Sequence, residues 1–393
     1  MQCNKKRIIG MGKSVLIQNC SGKTMEKNKG CVIFAGGRGR RMGYVNKAEL
    51  SFQGITFEDK IRKEVEKLGI PCFISAAVYQ MEEQHGWELV EDEMRDEKKQ
   101  FIGPIGGLLS SLRRAQKRGL EGLYTVPCDM PLFHKEQIQT LKLSPDIDAV
   151  IWQTRDGKIH PVCGYYADSC IPYLEEMVKQ GNYRLRDMLG NISVKVQKTK
   201  EIHLPDKWFF NINHVSDYSR LQKSAFHPPV LAVSGKKNSG KTTLLIHLLR
   251  EMSAIGIRCA VIKHDGHDFE ADVPGTDSYK LKKAGAYGTA VYSKTKYSVV
   301  KETDGLTCER LIPLFEDADI IFLEGQKNSS YSKIEILRTG VAEEPVTDPS
   351  KVLAYVTDGF KPDPKNICGR PVVSVEDLEQ ILEIILTYID KSY

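Results

Sequence analysis

The sequence is short of several things, and each shortage excludes something. It has no Cys-x-x-Cys pair, although ten cysteines are scattered along its 393 residues. Zinc-type spacing is therefore missing, and a disulfide framework would be unusual in so long a chain. The thiols read as reduced and buried, in a cytoplasmic protein. No apolar run approaches the ~18–20 residues of a membrane span. No block of five or six like charges appears, and the net charge of +5 is mild, so nucleic acid is not demanded. No Ser-His-Asp or Cys-His signature suggests a nucleophile, and the guanine-reading N-K-x-D of ordinary GTPases is missing. The amino terminus is a poor signal peptide, because Gly10, Gly12 and Lys13 break its apolar stretch. Residues 1–29 read as an extension of unknown role.

What is present favours two domains. Hydrophobic residues make up 41% of the chain, and ~100–200 residues per domain is the usual size. Two segments open alike, with an apolar strand and then a glycine-rich turn: "CVIFAGG" and "PPVLAVSGKKNSG". Pro228 and Pro229 follow a polar stretch and mark a linker, so the expected layout is 30–222, a linker at 223–229, and 230–393. In the first half, strands expected at 31–35, 72–76, 123–127, 149–153 and 162–166 alternate with helices at 57–68, 107–117, 135–141 and 171–179. In the second, strands at 230–234, 259–263, 288–292, 320–323 and 352–356 accompany helices at 241–252 and 376–388. This alternation predicts an α/β fold: two mostly parallel sheets, each with helices on both faces. Ligands of such sheets bind beyond the carboxyl ends of the strands.

The second glycine turn is the clearer motif. Gly235, Lys236, Lys237, Asn238, Ser239, Gly240, Lys241 and Thr242 match G-x-x-x-x-G-K-[ST] in full, between a strand and a helix. Its amides form an anion nest, and the helix N-terminus adds partial positive charge. Lys241 would reach the β- and γ-phosphates, Thr242 would ligate Mg²⁺, and Thr243 continues the phosphate-binding turn. The strand "DADIIFLEG" ends in Glu324, a candidate second carboxylate on the metal side. His264 and His267 lie among acids in a surface loop and suggest a weaker metal candidate. "SGKT" at 21–24 lacks the first glycine of the motif and is a decoy.

The first turn, "FAGGRGRRMGYVNK", is a different device. It matches neither the Walker pattern nor G-x-G-x-x-G. Residues 36–47 hold Arg38, Arg40, Arg41 and Lys47 and no acid. Guanidinium groups take phosphate in two-point contacts, and the four cations would stabilise charge moving onto a departing pyrophosphate. Transfer of that kind needs a divalent cation. "LYTVPCDMPL" ends its strand in Asp129, between Pro127 and Pro131, an oxygen ligand suited to a hard cation.

The motifs A-G-G-x-x-x-R-M-G-x-x-K, "GPIGG" and "PCDMPL" resemble the molybdenum cofactor guanylyltransferases (MobA), a branch of the nucleotide-sugar transferases with a Rossmann-like domain. The P-loop, "VIKHDGHDFEADVPGTDSYKLKKAGA" and "IIFLEGQKNSSYSKIEILR" resemble MobB, a P-loop GTP-binding protein. The resemblance covers about 30–222 and 230–390, nearly everything but the extension. It implies transfer of GMP from GTP to the terminal phosphate of molybdenum-molybdopterin, with Mg²⁺ and release of pyrophosphate. Phe34, Ala35, Gly36 and Gly37 would cradle the nucleotide and Lys47 its phosphates, and Asp92 matches a nucleotide-binding acid. Asp129 would hold Mg²⁺, with Arg41, Lys47 and Asp129 catalytic. Ser75 stands where the family commonly has Asn, and Asn46 where it often has Asp before the lysine. "NIN" at 211–213 resembles a segment near the family's active site, and His160 with Pro161 could face the pterin. Implied partners are GTP and molybdenum-molybdopterin, with molybdenum-insertion proteins and molybdoenzyme chaperones, but neither nucleic acid nor membrane. Two alternatives stay open. The first half could use CTP or ATP with a pterin or sugar-phosphate acceptor, and the second could be a non-catalytic nucleotide-binding adaptor.

Overall fold

The computed structural model describes residues 28–35, 38–39, 45–76, 87–92, 94, 101–224, 228–265 and 269–392, without the side chains of 38, 39, 45, 46 and 224. Residues 1–27 of the extension, Gly36, Gly37, Arg40, Arg41 and His267 lie outside the described residues.

Two sheets organise the chain. The first has seven strands: β1 (Lys29–Phe34), β2 (Cys72–Ala76), β3 (Glu88–Glu91), β4 (Gly122–Pro127), β5 (Ala149–Gln153), β6 (Ile159–Ala167) and β7 (Val194–Lys198). Their order is β7-β5-β6-β4-β1-β2-β3. β1 runs parallel to β2 and β4, and β2 parallel to β3, whereas β6 is antiparallel to both its neighbours. Pro161 is tolerated in β6 because the register slips between His160 and Gly164. A side chain at Gly164 would lie 2.1 Å from the Val150 carbonyl, so only glycine fits there.

Alternation along β1 fills both faces. Cys31 and Ile33 join one apolar cluster with α1 (Phe57–Glu66), and Val32 joins another with α2 (Pro104–Lys117) and α3 (Ile171–Lys179). Thr56 caps α1, its hydroxyl accepting from the Asp59 amide at 3.1 Å.

The second sheet contains β8 (Val230–Ser234), β9 (Cys259–Lys263), β12 (Ile320–Glu324), β13 (Ser332–Leu337), β14 (Val352–Thr357) and β15 (Val372–Ser374), in the order β9-β12-β8-β13-β14-β15. All its pairs are parallel. Helices α4 (Lys241–Ala254) and α6 (Leu378–Lys391) cover one face. On the other, Cys308 and Ile312 from short 3₁₀ turns pack under β8, β9 and β12. The strand expected at 288–292 exists, but not in this sheet. Among the described residues β10 (Gly288–Tyr292) pairs only with β11 (Tyr297–Lys301), next to the short helix α5 (Asp277–Lys283), which buries no residue.

The two halves touch. Lys207 forms a 3.1 Å ion pair with Asp319, their side chains only 2% and 7% exposed. Arg155 reaches Glu383 through two bonds of 2.9 and 3.1 Å, and the Lys207 amide donates to Asp390 at 3.0 Å. A single apolar cluster runs from Ile33 and Trp208 to Met252 and Ile389. No described helix is long and apolar enough to cross a membrane.

Candidate functional site

Four consecutive strands of the first sheet, β4, β1, β2 and β3, deliver site residues to one edge. Asp129 follows β4, Phe34 and Ala35 end β1, Ser75 lies near the end of β2, and Asp92 follows β3. Ladder-like bonds hold these ends in register: Ala35 amide to Ser75 carbonyl at 2.9 Å, Cys128 amide to Phe34 carbonyl at 3.2 Å, Asp92 amide to Ala76 carbonyl at 3.1 Å.

"GPIGG" explains itself here. A Cβ on Gly107 would come within 2.8 Å of the Ser75 hydroxyl and 3.3 Å of Phe34. One on Gly106 would come within 2.7 Å of an Asp92 oxygen. The two glycines let the first turn of α2 sit against this edge, where its free N–H groups favour anions. Asp92 is buried, and its carboxylate accepts from the Met94 amide at 3.1 Å. Ser75 is buried as well.

Lys47 opens a 3₁₀ turn (Lys47–Glu49), and its ammonium crosses to the edge. It donates to Asp129 Oδ2 at 3.0 Å and to Asn213 Oδ1 at 2.9 Å. Asp129 Oδ1 accepts from Asn211 Nδ2 at 3.1 Å, and its carbonyl accepts from the Ile212 amide at 2.9 Å. "NIN" thus grips both predicted residues, a closer part than the sequence suggested. Asn213 is steadied in turn by Asp217, whose carboxylate accepts from the amides of Asn213 at 2.9 Å and His214 at 2.8 Å. The spacing His214-x-x-Asp217 at a helix start is the signal for that role, since a side chain at this position reaches back to cap the first turn. Asn211 Oδ1 is buried with no partner among the described residues. Burial raises the Cys128 thiol pKa, so this cysteine is no thiolate nucleophile. Asp129 offers hard oxygen donors beside polar amides, a set that fits a magnesium ion.

His160 departs from expectation. It is buried, its ring 5.2 Å from Phe209 and its Nε2 3.3 Å from the Thr154 hydroxyl. Burial first, then Lys158, lowers its pKa to about 4. It packs as a neutral interior residue and does not present itself to a ligand.

In the second half, the turn between β8 and α4 has the geometry the motif requires. Gly235 has φ 143° and Gly240 has φ 100°, and a Cβ at Gly235 would strike the Ile336 carbonyl at 2.7 Å. Lys241 folds over the loop and donates to the carbonyls of Gly235 at 3.2 Å and Lys236 at 2.7 Å. Burial, chiefly, lowers its pKa. The Thr242 hydroxyl donates to Glu324 Oε1 at 2.5 Å, so the two predicted metal-side residues meet. Lys236, Lys237, Asn238 and Thr243 are exposed, whereas Ser239 is buried with its hydroxyl unpartnered among the described residues. The loop lines a cleft of about 1080 Å³ with Lys263, His264, Glu324 and Arg338.

One further group among the described residues has metal-ligand geometry: Glu64, His134 and Glu136, with donor atoms within 4.8 Å of one another. Lys67 pairs with Glu64, Lys135 stands 3.9 Å from Glu136, and Gly256 of the second half packs on the Glu136 carboxylate. It is a charge cluster in the contact between the halves.

Comparison with known proteins divides the chain at the same place. A MobA-like NTP transferase domain matches residues 31–197, and the family described as molybdopterin guanine dinucleotide synthesis protein B (MobB) matches 230–358. The molybdopterin-guanine dinucleotide biosynthesis adapter protein of Escherichia coli K12 is 33% identical over 171 residues, 42% of this chain and 94% of that protein. The probable molybdenum cofactor guanylyltransferase of Clostridium perfringens SM101 is 28% identical over 199 residues, 49% of this chain and 96% of that protein. Its counterpart in Bacillus subtilis 168 is 26% identical over 197 residues, 49% and 94%. The chain belongs to the MobB family through its second half, joined to a MobA-like nucleotidyltransferase domain in its first.

Proposed function

We propose that the first half transfers GMP from GTP to the terminal phosphate of molybdenum-molybdopterin, giving the guanine dinucleotide and pyrophosphate. The observation that carries this is the Lys47–Asp129–Asn213 cluster at the carboxyl edge of parallel strands. The relatives' names support the choice of base and acceptor. The acceptor phosphate is already anionic near pH 7, so no strong general base is required. Lys47 binds the triphosphate and offsets charge gathering on the leaving pyrophosphate, and Arg41 is assigned the same task. Asn211 and Asn213 hold Asp129 and Lys47 in place. Phe34, Ala35, Gly36, Gly37, Ser75 and Asp92 bind the nucleoside end. Magnesium, held through Asp129, supplies further charge compensation at the phosphates.

The second half holds another GTP at the 235–243 loop, with Mg²⁺ at Thr242 and Glu324, and acts as an adaptor rather than a fast GTPase. The domain limits 30–222 and 230–393 and a cytoplasmic setting belong to the same proposal, as does contact with molybdenum-insertion proteins and molybdoenzyme chaperones. Competition among GTP, CTP and ATP for product formation tests the base. Product from GTP alone is expected, and a clear preference for CTP would overturn it.

A further inference from the structure

The P-loop accounts for phosphates, but the sequence has no N-K-x-D to read a base. Strand order supplies the missing direction. The P-loop follows β8, and the metal-side pair Thr242–Glu324 lies toward β12, on one flank. Lys263, at the end of β9 beyond β12, lies 3.9 Å from Glu324 and adds charge to the same flank. The terminal phosphates belong there, so the nucleoside leaves toward β13 and β14 on the other flank. β14 lies two strand spacings from β8, about 10 Å away.

At the carboxyl end of β14 stand Thr357, buried, and Asp358, exposed. Gly359 follows with φ 108°, turning the chain away. The Asp358 carboxylate is not loose. The Thr339 amide lies 3.2 Å from each of its oxygens, and the Thr339 hydroxyl donates to Oδ1 at 2.8 Å. The adjacent Arg338 donates to the carbonyl of Asn238, within the P-loop, at 3.4 Å. The loop after β13 therefore ties the phosphate site to an oriented carboxylate on the nucleoside flank. The Thr339 hydroxyl, first among the causes, lowers the pKa of this acid.

An ionised carboxylate only accepts hydrogen bonds. Guanine offers two neighbouring donors on one edge, N1–H and the N2 amine. Adenine offers an acceptor at N1, which a carboxylate repels. We infer that Asp358 is the guanine-reading acid of the second nucleotide site, receiving N1–H and the N2 amine of GTP, with Thr339 as its positioning residue. This rests on the reading that the second half binds GTP.

The test uses the full chain and a fluorescent GTP analogue labelled on the ribose. Binding that Lys241→Ala removes is binding at the second site. There, inosine triphosphate, which lacks the N2 amine, should compete about tenfold less well than GTP, and ATP worse still. In Asp358→Asn the amide donates where guanine also donates, so GTP should weaken about tenfold or more. Xanthosine triphosphate, with a carbonyl at C2, should now bind more tightly than it does to the native chain. Asp358 is exposed and asparagine is isosteric, and a thermal melt confirms folding. If Lys241→Ala removes no GTP binding, the second-site reading fails and this inference with it. If it does, but GTP binds Asp358→Asn as well as the native chain, or ATP equals GTP on the native chain, only the inference is overturned.

Discussion

Replacing Asp129 by asparagine separates catalysis from structure. The native carboxylate takes Lys47 at 3.0 Å on one oxygen and Asn211 at 3.1 Å on the other. Asparagine has the same shape and can keep the Asn211 contact. Its amide would meet the Lys47 ammonium donor to donor. At 3.0 Å the gross attraction of the native pair is about 5 kcal/mol at an effective dielectric of ~20. The side chains are 13% and 17% exposed. Desolvation of both charges cancels most of that attraction, leaving a net stability loss of about 1–2 kcal/mol. Turnover should fall much further, because the site would lose both the oxygen proposed to hold the metal and the anchor of Lys47. A thousandfold drop in kcat corresponds to about 4 kcal/mol. Denaturant melts and steady-state kinetics at several Mg²⁺ concentrations measure the two effects on one variant. A well-folded Asp129→Asn chain within tenfold of native kcat would refute the assignment of Asp129 to the metal.

The contact between the halves yields two more predictions. Lys207→Ala leaves the buried Asp319 carboxylate with the Arg258 amide at 2.9 Å and the more exposed Arg258 guanidinium at 3.7 Å, and should cost about 3 kcal/mol in denaturant unfolding. Adding Asp319→Leu should recover much of that loss; an additive double variant would mean the pair is not coupled. Asp390 is the opposite case. Burial first, with the Asp206 carboxylate, pushes its pKa up to about 6 against the Lys207 amide and Arg155. The folded chain therefore holds this proton more tightly than the unfolded chain, where an aspartate titrates near ~3.9. That stability is full below ~pH 4 and is lost as pH rises through about 6. Asp390→Asn should remove the slope and stabilise the chain at pH 7 by ~1–3 kcal/mol, which unfolding at several pH values would check.

The site was legible where its chemistry is local. The P-loop, Asp129 and Lys47 each sit in a short motif, and the strands leading into the P-loop and Asp129 are mostly apolar and wholly buried. β13 was missed because "SKIEIL" places Lys333 and Glu335 inside the sheet, 1% and 0% exposed. Loops elsewhere satisfy them: Ser329 and Tyr331 carbonyls take the ammonium, while the Val346 amide and Thr347 hydroxyl serve the carboxylate. Polar edge strands such as β7, "VKVQK", carry too little apolar pattern to register. The 288–292 run looked like another core strand because its composition matches one, yet β10 is mostly exposed. The docking of the halves was invisible, since its partners lie 112 to 228 residues apart.

The most direct test of GMP transfer follows the α-phosphate. The purified full chain is given molybdenum-molybdopterin, Mg²⁺ and GTP labelled at the α-phosphorus, and the pterin product is separated and counted. The account predicts label in a guanine dinucleotide of the pterin, one unlabelled pyrophosphate per label transferred, and none of either from Asp129→Asn on the same timescale. Label released as free GMP, or a pterin product that forms as fast with CTP, would contradict it.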